Sequence, residues 1–245
     1  MIKDISSLLG INIGGIMVDI TAVVPTRKGS ERVKSKNTRP FAGKSLLEVK
    51  LDVLMELKRV GSIKDIVVNS DCDESKKISE SYGVKFIERD PYLASSDAPI
   101  TDYWREVLLN TDTEHSMLCQ CTSPLLRFDF YMKAINAYNK SKCNSMIGID
   151  YIKDYIWYDH ITHDESINYD WPNHPRSQDL DGHYYKLNFG LVIISKKEFK
   201  RYNNIKTPES YPMLMREGES LDIDNMTEFK LAEMMYKEMN NGNSK

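Results

Sequence analysis

The sequence has 245 residues, of which 41% are hydrophobic and 28% charged, so its length and composition suit a folded globular protein with one large domain. Its 36 acidic and 33 basic side chains leave a formal net charge of −3, which disfavours a nucleic-acid-binding protein. The sequence contains no run of about 18 apolar residues, so no membrane-spanning helix is predicted.

Strand-like and helix-like segments alternate along the chain. Residues 1–17 are interpreted as an N-terminal extension, because their apolar stretch is short, is flanked by acids and is followed by no small-residue cleavage site. Beyond them, short apolar runs predict buried strands, and apolar residues at helical spacing predict amphipathic helices. The predicted strands cover residues 19–25, 65–70, 85–88, 116–121, 145–149 and 187–195, and the predicted helices cover residues 45–59, 73–82, 100–109, 128–138 and 226–239.

This β-α-β-α order predicts the fold class. It indicates a three-layer α/β fold in which helices cover both faces of a mostly parallel sheet. We expect residues 18–240 to form a single domain and residues 241–245 to fray. Residues 151–186 break the rhythm and are rich in Tyr, Trp, His, Asp and Asn. We interpret them as an excursion from the sheet, either a hairpin or an arm that contacts a partner.

Three polar segments follow predicted strands directly. They are residues 26–37, 69–73 and 120–127. Ligands of open α/β sheets bind beyond the carboxyl ends of the strands, where these segments meet. The sequence therefore predicts a binding site at this edge of the sheet, whatever family the chain belongs to.

The segment after the first strand carries the densest positive charge in the site. It holds five cations within ten residues, and a glycine lies between them: Arg27, Lys28, Arg32, Lys34 and Lys36, with Gly29. Arginine forks, lysine charges and loop N–H groups together can hold a polyphosphate. The spacing is not that of a P-loop. On charge alone, a solvated basic loop is the alternative.

An acidic pair precedes the last helix. In Ser220-Leu221-Asp222-Ile223-Asp224, extended backbone places Asp222 and Asp224 on one face, about 7 Å apart. Two such carboxylates suit Mg²⁺ or Mn²⁺, whose other positions go to water and phosphate oxygens. The alternative is one surface acid and one acid that caps the following helix.

Several short motifs occur together in one order. They are Arg27-Lys28-Gly29-Ser30, Lys36-Asn37, Gly43-Lys44-Ser45-Leu46, Arg89 with Leu93-Ala94-Ser95 and Asp97, Gln120-Cys121-Thr122-Ser123-Pro124-Leu125, Arg176-Ser177-Gln178-Asp179-Leu180, Asn188 with Gly190, and Ser220-Leu221-Asp222-Ile223-Asp224. Each motif is weak alone, but their joint order resembles the acylneuraminate cytidylyltransferase family over nearly the whole chain. The resemblance implies a Rossmann-like nucleotidyltransferase fold and a homodimer that uses the excursion.

The resemblance also implies a reaction, in which a hydroxyl of a sugar acid attacks the α-phosphate of CTP and pyrophosphate leaves. Catalysis would rest on Arg27, Lys36 and Asp222, and the metal would bind Asp222 and Asp224. The implied nucleotide-binding residues are Arg27, Ser30, Lys36, Asn37, Arg89, Ser95 and Gln120. The implied substrate-binding residues are Gln120, Thr122, Ser123, Arg176, Gln178 and Asn188, and Lys186 is a further candidate partner for the substrate carboxylate.

The chain departs from the family pattern on the acceptor side, where Leu126 and Phe189 are additional residues. An octulosonate acceptor, another nucleotide, or a non-catalytic nucleotide-binding subunit therefore stay open as alternatives. A glycosyltransferase is a weaker one, because Asp71-Cys72-Asp73 matches the spacing of a D-x-D motif but explains none of the other motifs.

The cysteines and histidines indicate no further chemistry. The four cysteines form no C-x-x-C pair and are interpreted as reduced thiols of a cytoplasmic protein. His160 and His163 match no metalloprotease motif and are interpreted as structural or interface residues.

Overall fold

Strands and helices alternate through the part of the chain that the structure, a computed structural model, describes: residues 18–141, 143–160, 163–180 and 184–241. The strands are β1 (Ile20–Pro25), β2 (Pro40–Phe41), β3 (Lys44–Ser45), β4 (Asp65–Ser70), β5 (Lys85–Glu88), β6 (His115–Leu118), β7 (Ser145–Tyr151), β8 (Trp157–His160), β9 (His163–Ser166), β10 (Tyr185–Ser195) and β11 (Tyr211–Leu214). The helices are α1 (Leu46–Arg59), α2 (Asp73–Ser81), α3 (Pro91–Ala94), α4 (Ile100–Leu109), α5 (Phe128–Ser141), α6 (Lys196–Tyr202) and α7 (Met226–Asn241). The predicted extension, residues 1–17, lies outside the described residues.

Seven strands form the main sheet, in the order β11-β7-β10-β6-β1-β4-β5. Neighbouring strands pair in parallel except β10, which runs antiparallel to both β6 and β7. The predicted α/β fold with a mostly parallel sheet is thereby confirmed. Because β10 is reversed, its first residues lie at the same edge as the carboxyl ends of β6 and β7.

Two apolar layers enclose this sheet, as β1 shows. Its residues are all buried and alternate between the layers, with Ala22 and Val24 in one cluster and Val23 in the other. Helices α1, α5 and α7 contribute to the first cluster, and α4 and α6 contribute to the second. The result is the predicted three-layer arrangement.

The N-terminus of helix α1 is capped and is bonded to the polar segment after β1. Ser45 caps it in a capping box, since its hydroxyl accepts a hydrogen bond from Glu48 N and the Glu48 carboxylate accepts one from Ser45 N. The backbone N–H of Leu47, the second residue of the helix, donates to the Asn37 carbonyl at 3.0 Å. This hydrogen bond joins the helix to the polar segment after β1.

The excursion contains a hairpin, one of the two forms that its composition suggests. Strands β8 and β9 pair antiparallel and are separate from the main sheet. The buried Asn168 side chain joins the two segments that flank the hairpin. It accepts a hydrogen bond from Ile156 N and donates one to Asp154 O, both at 2.8 Å. No helix within the described ranges is both long and apolar enough to cross a bilayer.

Strands β7 and β10 approach closely at Gly148. A Cβ at this position would lie 2.7 Å from the Asn188 carbonyl oxygen and 2.3 Å from Met215 Cε. Replacing Gly148 by alanine is therefore expected to lower the free energy of unfolding by about 1–3 kcal/mol, because the backbone oxygen has no room to retreat. Chemical denaturation measures the change, and Gly29→Ala is the matched control, since no atom lies within 4 Å of its added Cβ. Equal stability of the two variants would contradict the tight packing.

Candidate active site

A cavity of about 340 Å³ opens at the carboxyl edge of the sheet. Its walls come from the residues after β1, β5 and β6, from the start of α4, and from Asp224 of the acidic pair. The predicted site residues that line it are Arg27, Ser30, Lys36, Asn37, Arg89, Ser95, Gln120, Thr122 and Asp224. These residues are far apart in sequence, and the fold brings together all seven of the predicted nucleotide-binding residues.

The wall after β1 is the cationic loop, residues 26–37, and several hydrogen bonds hold it in place. Thr26 Oγ1 donates to Ser75 Oγ at 2.9 Å, and Lys28 N donates to Asp71 Oδ1 at 2.9 Å. Val33, in the middle of the loop, is buried in the core. The loop is therefore a fixed wall of the cavity, and Asp71 of the D-x-D sequence is engaged in holding it.

Lys36 connects the cationic loop to the acidic pair. Its ammonium donates to the Ile223 carbonyl at 2.5 Å. Burial lowers the pKa of Lys36, and the nearby Asp222 and Asp224 carboxylates oppose that shift. Both carboxylates therefore lie close enough to the Lys36 ammonium to favour its charged form.

The acidic segment, residues 220–224, lies between β11 and α7 and belongs to no helix or strand. Its side chains alternate as expected: Ile223 is fully buried, whereas Asp222 and Asp224 are exposed. Ile223 N donates to the Thr122 carbonyl at 2.9 Å, which ties the segment to the residues after β6.

The helix that follows is capped by another residue. Asn225 Oδ1 accepts from Glu228 N at 3.0 Å, so Asn225 is the side chain that caps α7. The alternative in which one acid of the pair serves as the helix cap is therefore wrong. Asp224 instead forms an exposed ion pair of 3.4 Å with Arg32 of the cationic loop.

Arg89 forms the inner wall of the cavity. It is 3% exposed, and its Nε and Nη2 donate to the Oδ1 and carbonyl oxygen of Asn69, both at 2.6 Å. Its guanidinium carbon lies 5.1 Å from the centre of the Tyr103 ring. Burial lowers the pKa of Arg89, and Tyr103 and nearby acids oppose the shift. Asn69 thus supports the site through Arg89.

Five predicted site residues do not line the cavity. Asp222 lies on the same segment as Asp224, and Ser123 and Asn188 are buried just behind the wall. Arg176 and Gln178 lie in the excursion, where Arg176 Nε donates to Asp179 Oδ2 at 2.8 Å across an exposed 3₁₀ turn. The substrate-binding roles of Ser123, Arg176, Gln178 and Asn188 stay predictions.

Lys50 is a residue of the site region that the sequence reading missed. It is fully buried on α1, and its ammonium donates to Ser123 O at 3.0 Å and to Tyr131 Oη at 2.7 Å. Burial lowers its pKa to about 8, against the opposing effects of Cys119, Cys121 and Asp222. A signal was available, because Lys50 falls on the same helical stripe as the buried Leu46, Leu47, Leu54 and Leu57.

The acidic pair has the donor chemistry that a hard divalent cation requires. Among the described residues, no three His, Cys, Asp or Glu side chains gather closely enough to hold a metal. Asp222 and Asp224 are exposed carboxylates, so phosphate oxygens and water could complete an octahedral shell around Mg²⁺. The residues present therefore fit a metal that binds together with a nucleotide.

Comparisons with known proteins show which proteins the chain is similar to. The N-acylneuraminate cytidylyltransferase of Streptococcus agalactiae is 26% identical over 212 residues, which cover 84% of this chain and 51% of that protein. The chain thus spans about half the length of this relative. The CMP-N,N'-diacetyllegionaminic acid synthase of Legionella pneumophila is 26% identical over 235 residues, which cover 89% of this chain and 96% of that protein.

Solved structures show the same fold at lower identity. CMP:2-keto-3-deoxy-manno-octonic acid synthetase complexed with CTP matches with a TM-score of 0.63 and 13% identity, over 90% of this chain and 99% of that one. The 4-diphosphocytidyl-2C-methyl-D-erythritol synthase from Anaerococcus prevotii matches with a TM-score of 0.62 and 14% identity, over 90% and 99%. The cytidylyltransferase family profile matches residues 21–239. The chain therefore belongs to the cytidylyltransferase family.

Proposed function

We propose that this chain transfers CMP from CTP to a 2-keto sugar acid of the sialic-acid-like nonulosonate class, releasing pyrophosphate. A hydroxyl oxygen of the sugar acid bonds to the α-phosphorus, the bond from that phosphorus to the bridging oxygen of pyrophosphate breaks, and the hydroxyl proton passes to solvent water. The observation that carries the proposal is the cavity itself, which has the cationic loop on one wall and the acidic segment on another.

The chain's own residues would act by position and charge, since phosphoryl transfer of this kind needs no covalent intermediate. Arg27 and Lys36 would neutralise the triphosphate and the leaving pyrophosphate. Nucleotide contacts would come from the other polar residues of the cavity, Ser30, Asn37, Arg89, Ser95 and Gln120. Asp222 and Asp224 would hold Mg²⁺ or Mn²⁺, which when bound neutralises phosphate charge and lowers the pKa of the attacking hydroxyl.

The acceptor class is supported by the relatives whose names state it. They include the legionaminic acid synthase named above and the pseudaminic acid cytidylyltransferase of Campylobacter jejuni, which is 23% identical over 225 residues. An octulosonate is the second candidate, because the octonic acid synthetase has the same fold. Both acceptors are carboxylates, and Thr122 in the cavity with Ser123, Arg176 and Gln178 beyond it are the proposed contacts.

The assembly and location of the protein are further parts of this proposal. A homodimer is supported by large apolar side chains that stay exposed on and beside the excursion: Tyr151, Tyr155, Trp157, Ile167, Tyr185, Leu187 and Phe189. A cytoplasmic location is supported by the four free thiols Cys72, Cys119, Cys121 and Cys143 and by the use of CTP. Residues 18–240 would act as one domain, as the sequence predicts.

The test is pyrophosphate release from CTP and Mg²⁺ with a panel of acceptors. The panel contains nonulosonates, an octulosonate and a matched sugar without the carboxylate, and each acceptor is repeated with ATP, GTP and UTP. We expect release with CTP and a nonulosonate only. Release with the octulosonate alone would favour an octulosonate acceptor, and release with ATP, GTP or UTP would favour another nucleotide as the donor. CTP binding without release from any acid, beside an active control enzyme, would favour a non-catalytic subunit.

A further inference from the structure

A buried pair of polar side chains, Asp150 and Asn188, lies behind the acidic segment. Asp150 is the last but one residue of β7 and is 5% exposed, and Asn188 pairs with Gly148 in the first part of β10 and is 6% exposed. Asn188 Nδ2 donates to Asp150 Oδ2 at 2.9 Å. A carboxylate at this depth costs free energy, and Oδ1 of Asp150 has no hydrogen-bond partner among the described residues. Asp150 Oδ2 also lies 3.3 Å from the Nζ of the exposed Lys186, and an ion pair with so exposed a partner offsets only part of this cost.

The Asn188 amide is fully used by protein groups. Besides Asp150, its Nδ2 donates to the Ser220 carbonyl at 2.8 Å, and its Oδ1 accepts from Gly190 N at 2.9 Å. Both amide hydrogens and the amide oxygen are thus engaged, so Asn188 has little left to offer a substrate. The Asp150 carboxylate fixes which end of the amide faces Ser220, because it can only accept hydrogen bonds.

The backbone of β10 brings Asn188 to this position. The pairing register with β7 shifts between Asn188 and Val192, and the residues between them bulge toward the loop after β6. Gly190 packs so closely there that an added Cβ would lie 2.7 Å from Ser123 Oγ. The pair and its bulge therefore lie directly behind the wall that contains Thr122.

The acidic segment is consequently held at both ends. Asn188 holds the carbonyl of Ser220, Thr122 accepts from Ile223 N at 2.9 Å, and Lys36 donates to Ile223 O at 2.5 Å. These contacts fix the backbone on either side of Asp222. Because the backbone is already ordered, less conformational entropy is lost when Asp222 and Asp224 bind a ligand, and the affinity for that ligand is higher.

We propose that Asp150 and Asn188 are positioning residues, in which Asp150 orients the Asn188 amide and Asn188 orders the acidic segment for divalent-metal binding. The proposal rests on the metal role assigned to Asp222 and Asp224 under the proposed function. Residues that orient metal ligands typically change metal affinity by about 10- to 100-fold when they are replaced.

The test measures Mn²⁺ binding by electron paramagnetic resonance in the presence of CTP, and CTP binding in EDTA. Asn188→Ala and Asp150→Ala are expected to weaken Mn²⁺ binding by about 10- to 100-fold with CTP binding in EDTA unchanged. Asp150→Asn is expected to restore most of the affinity, because its amide oxygen still accepts from Asn188. The control Glu217→Gln alters an exposed side chain of the preceding turn, whose ion-pair partner is the exposed Lys153, and should bind Mn²⁺ normally.

Mn²⁺ affinity within twofold of the unchanged protein in both alanine variants would overturn the proposal. Equal losses in Asp150→Asn and Asp150→Ala would also overturn it, since the hydrogen bond to Asn188 would then be irrelevant. If Asn188→Ala does not fold, Asn188→Leu removes the same donors without adding a charge beside Asp150 and takes its place. No Mn²⁺ binding by the unchanged protein would overturn the metal role as well, whereas normal binding without turnover of any acid would overturn only the proposed acceptor.

Discussion

Replacing Asp222 by asparagine is expected to reduce CTP turnover by about a hundredfold or more, a loss of about 2.7 kcal/mol of transition-state stabilisation. The change removes one of two carboxylates that face Lys36 and that would hold the metal. Because Asp222 is exposed, the free energy of unfolding should stay within about 0.5 kcal/mol. Pyrophosphate release at saturating CTP and a titration with Mg²⁺ measure the effect, and the Mg²⁺ requirement should rise.

The matched control is Asp73→Asn. Asp73 is an exposed acid in the first turn of α2 and belongs to the D-x-D sequence that suggests a glycosyltransferase. Turnover by this variant should be unchanged. If instead Asp73→Asn is inactive and Asp222→Asn is active, the assignment of the metal to Asp222 and Asp224 is contradicted. That result would favour the glycosyltransferase alternative.

Replacing Lys50 by methionine is expected to stabilise the protein at pH 7. Burial lowers the pKa of Lys50 from its ordinary value of 10.5 to about 8, so at pH 7 the folded state holds a proton at an unfavourable site. The shift corresponds to about 3 kcal/mol, part of which methionine should recover by filling the same volume. Both hydrogen-bond partners keep another contact, since Ser123 O also accepts from Leu126 N and Tyr131 Oη donates to Gly190 O.

The pH dependence gives the sharper measurement. Between pH 8 and about 10.5, the unfolded chain binds a proton at Lys50 that the folded chain does not, so stability from this group rises with pH. The advantage of the methionine variant should therefore be largest below pH 8 and shrink toward pH 10. Denaturant unfolding of both proteins at pH 7 and pH 9.5 measures it. A variant that is less stable at pH 7, or whose advantage does not change with pH, would contradict the account.

The fold could be predicted from sequence wherever periodicity is strong. All six predicted strands are present, and the start of α1 and the first residues of α2 and α4 follow from local signals. Helix α6 and strand β11 were missed for physical reasons. Helix α6 has one buried apolar residue, Phe199, among charged ones, and β11 carries Pro212, which argues against a strand. Both are ordered by tertiary contacts that sequence periodicity does not show.

The site could be predicted in part, because its residues follow strands at one edge of the sheet. That rule finds Arg27, Lys36 and Gln120 without knowing how the strands pair. It does not find Lys50, a charged side chain within an apolar stripe. Nor does it show where the Asn188 amide points, since this depends on the β10 bulge and on Asp150, 38 residues earlier in the chain.

The contact between Lys36 and Ile223 joins two parts of the chain that are synthesised at different times. The two residues are 187 positions apart. At about 5–20 residues per second, a ribosome would make the acidic segment on the order of 10–40 s after the cationic loop. Strands β4, β5 and β6 are synthesised within that interval, so the cationic loop and the strands beside it are made before the acidic segment that carries the opposite charge. The cavity acquires both of its charges only once residue 224 has left the ribosome.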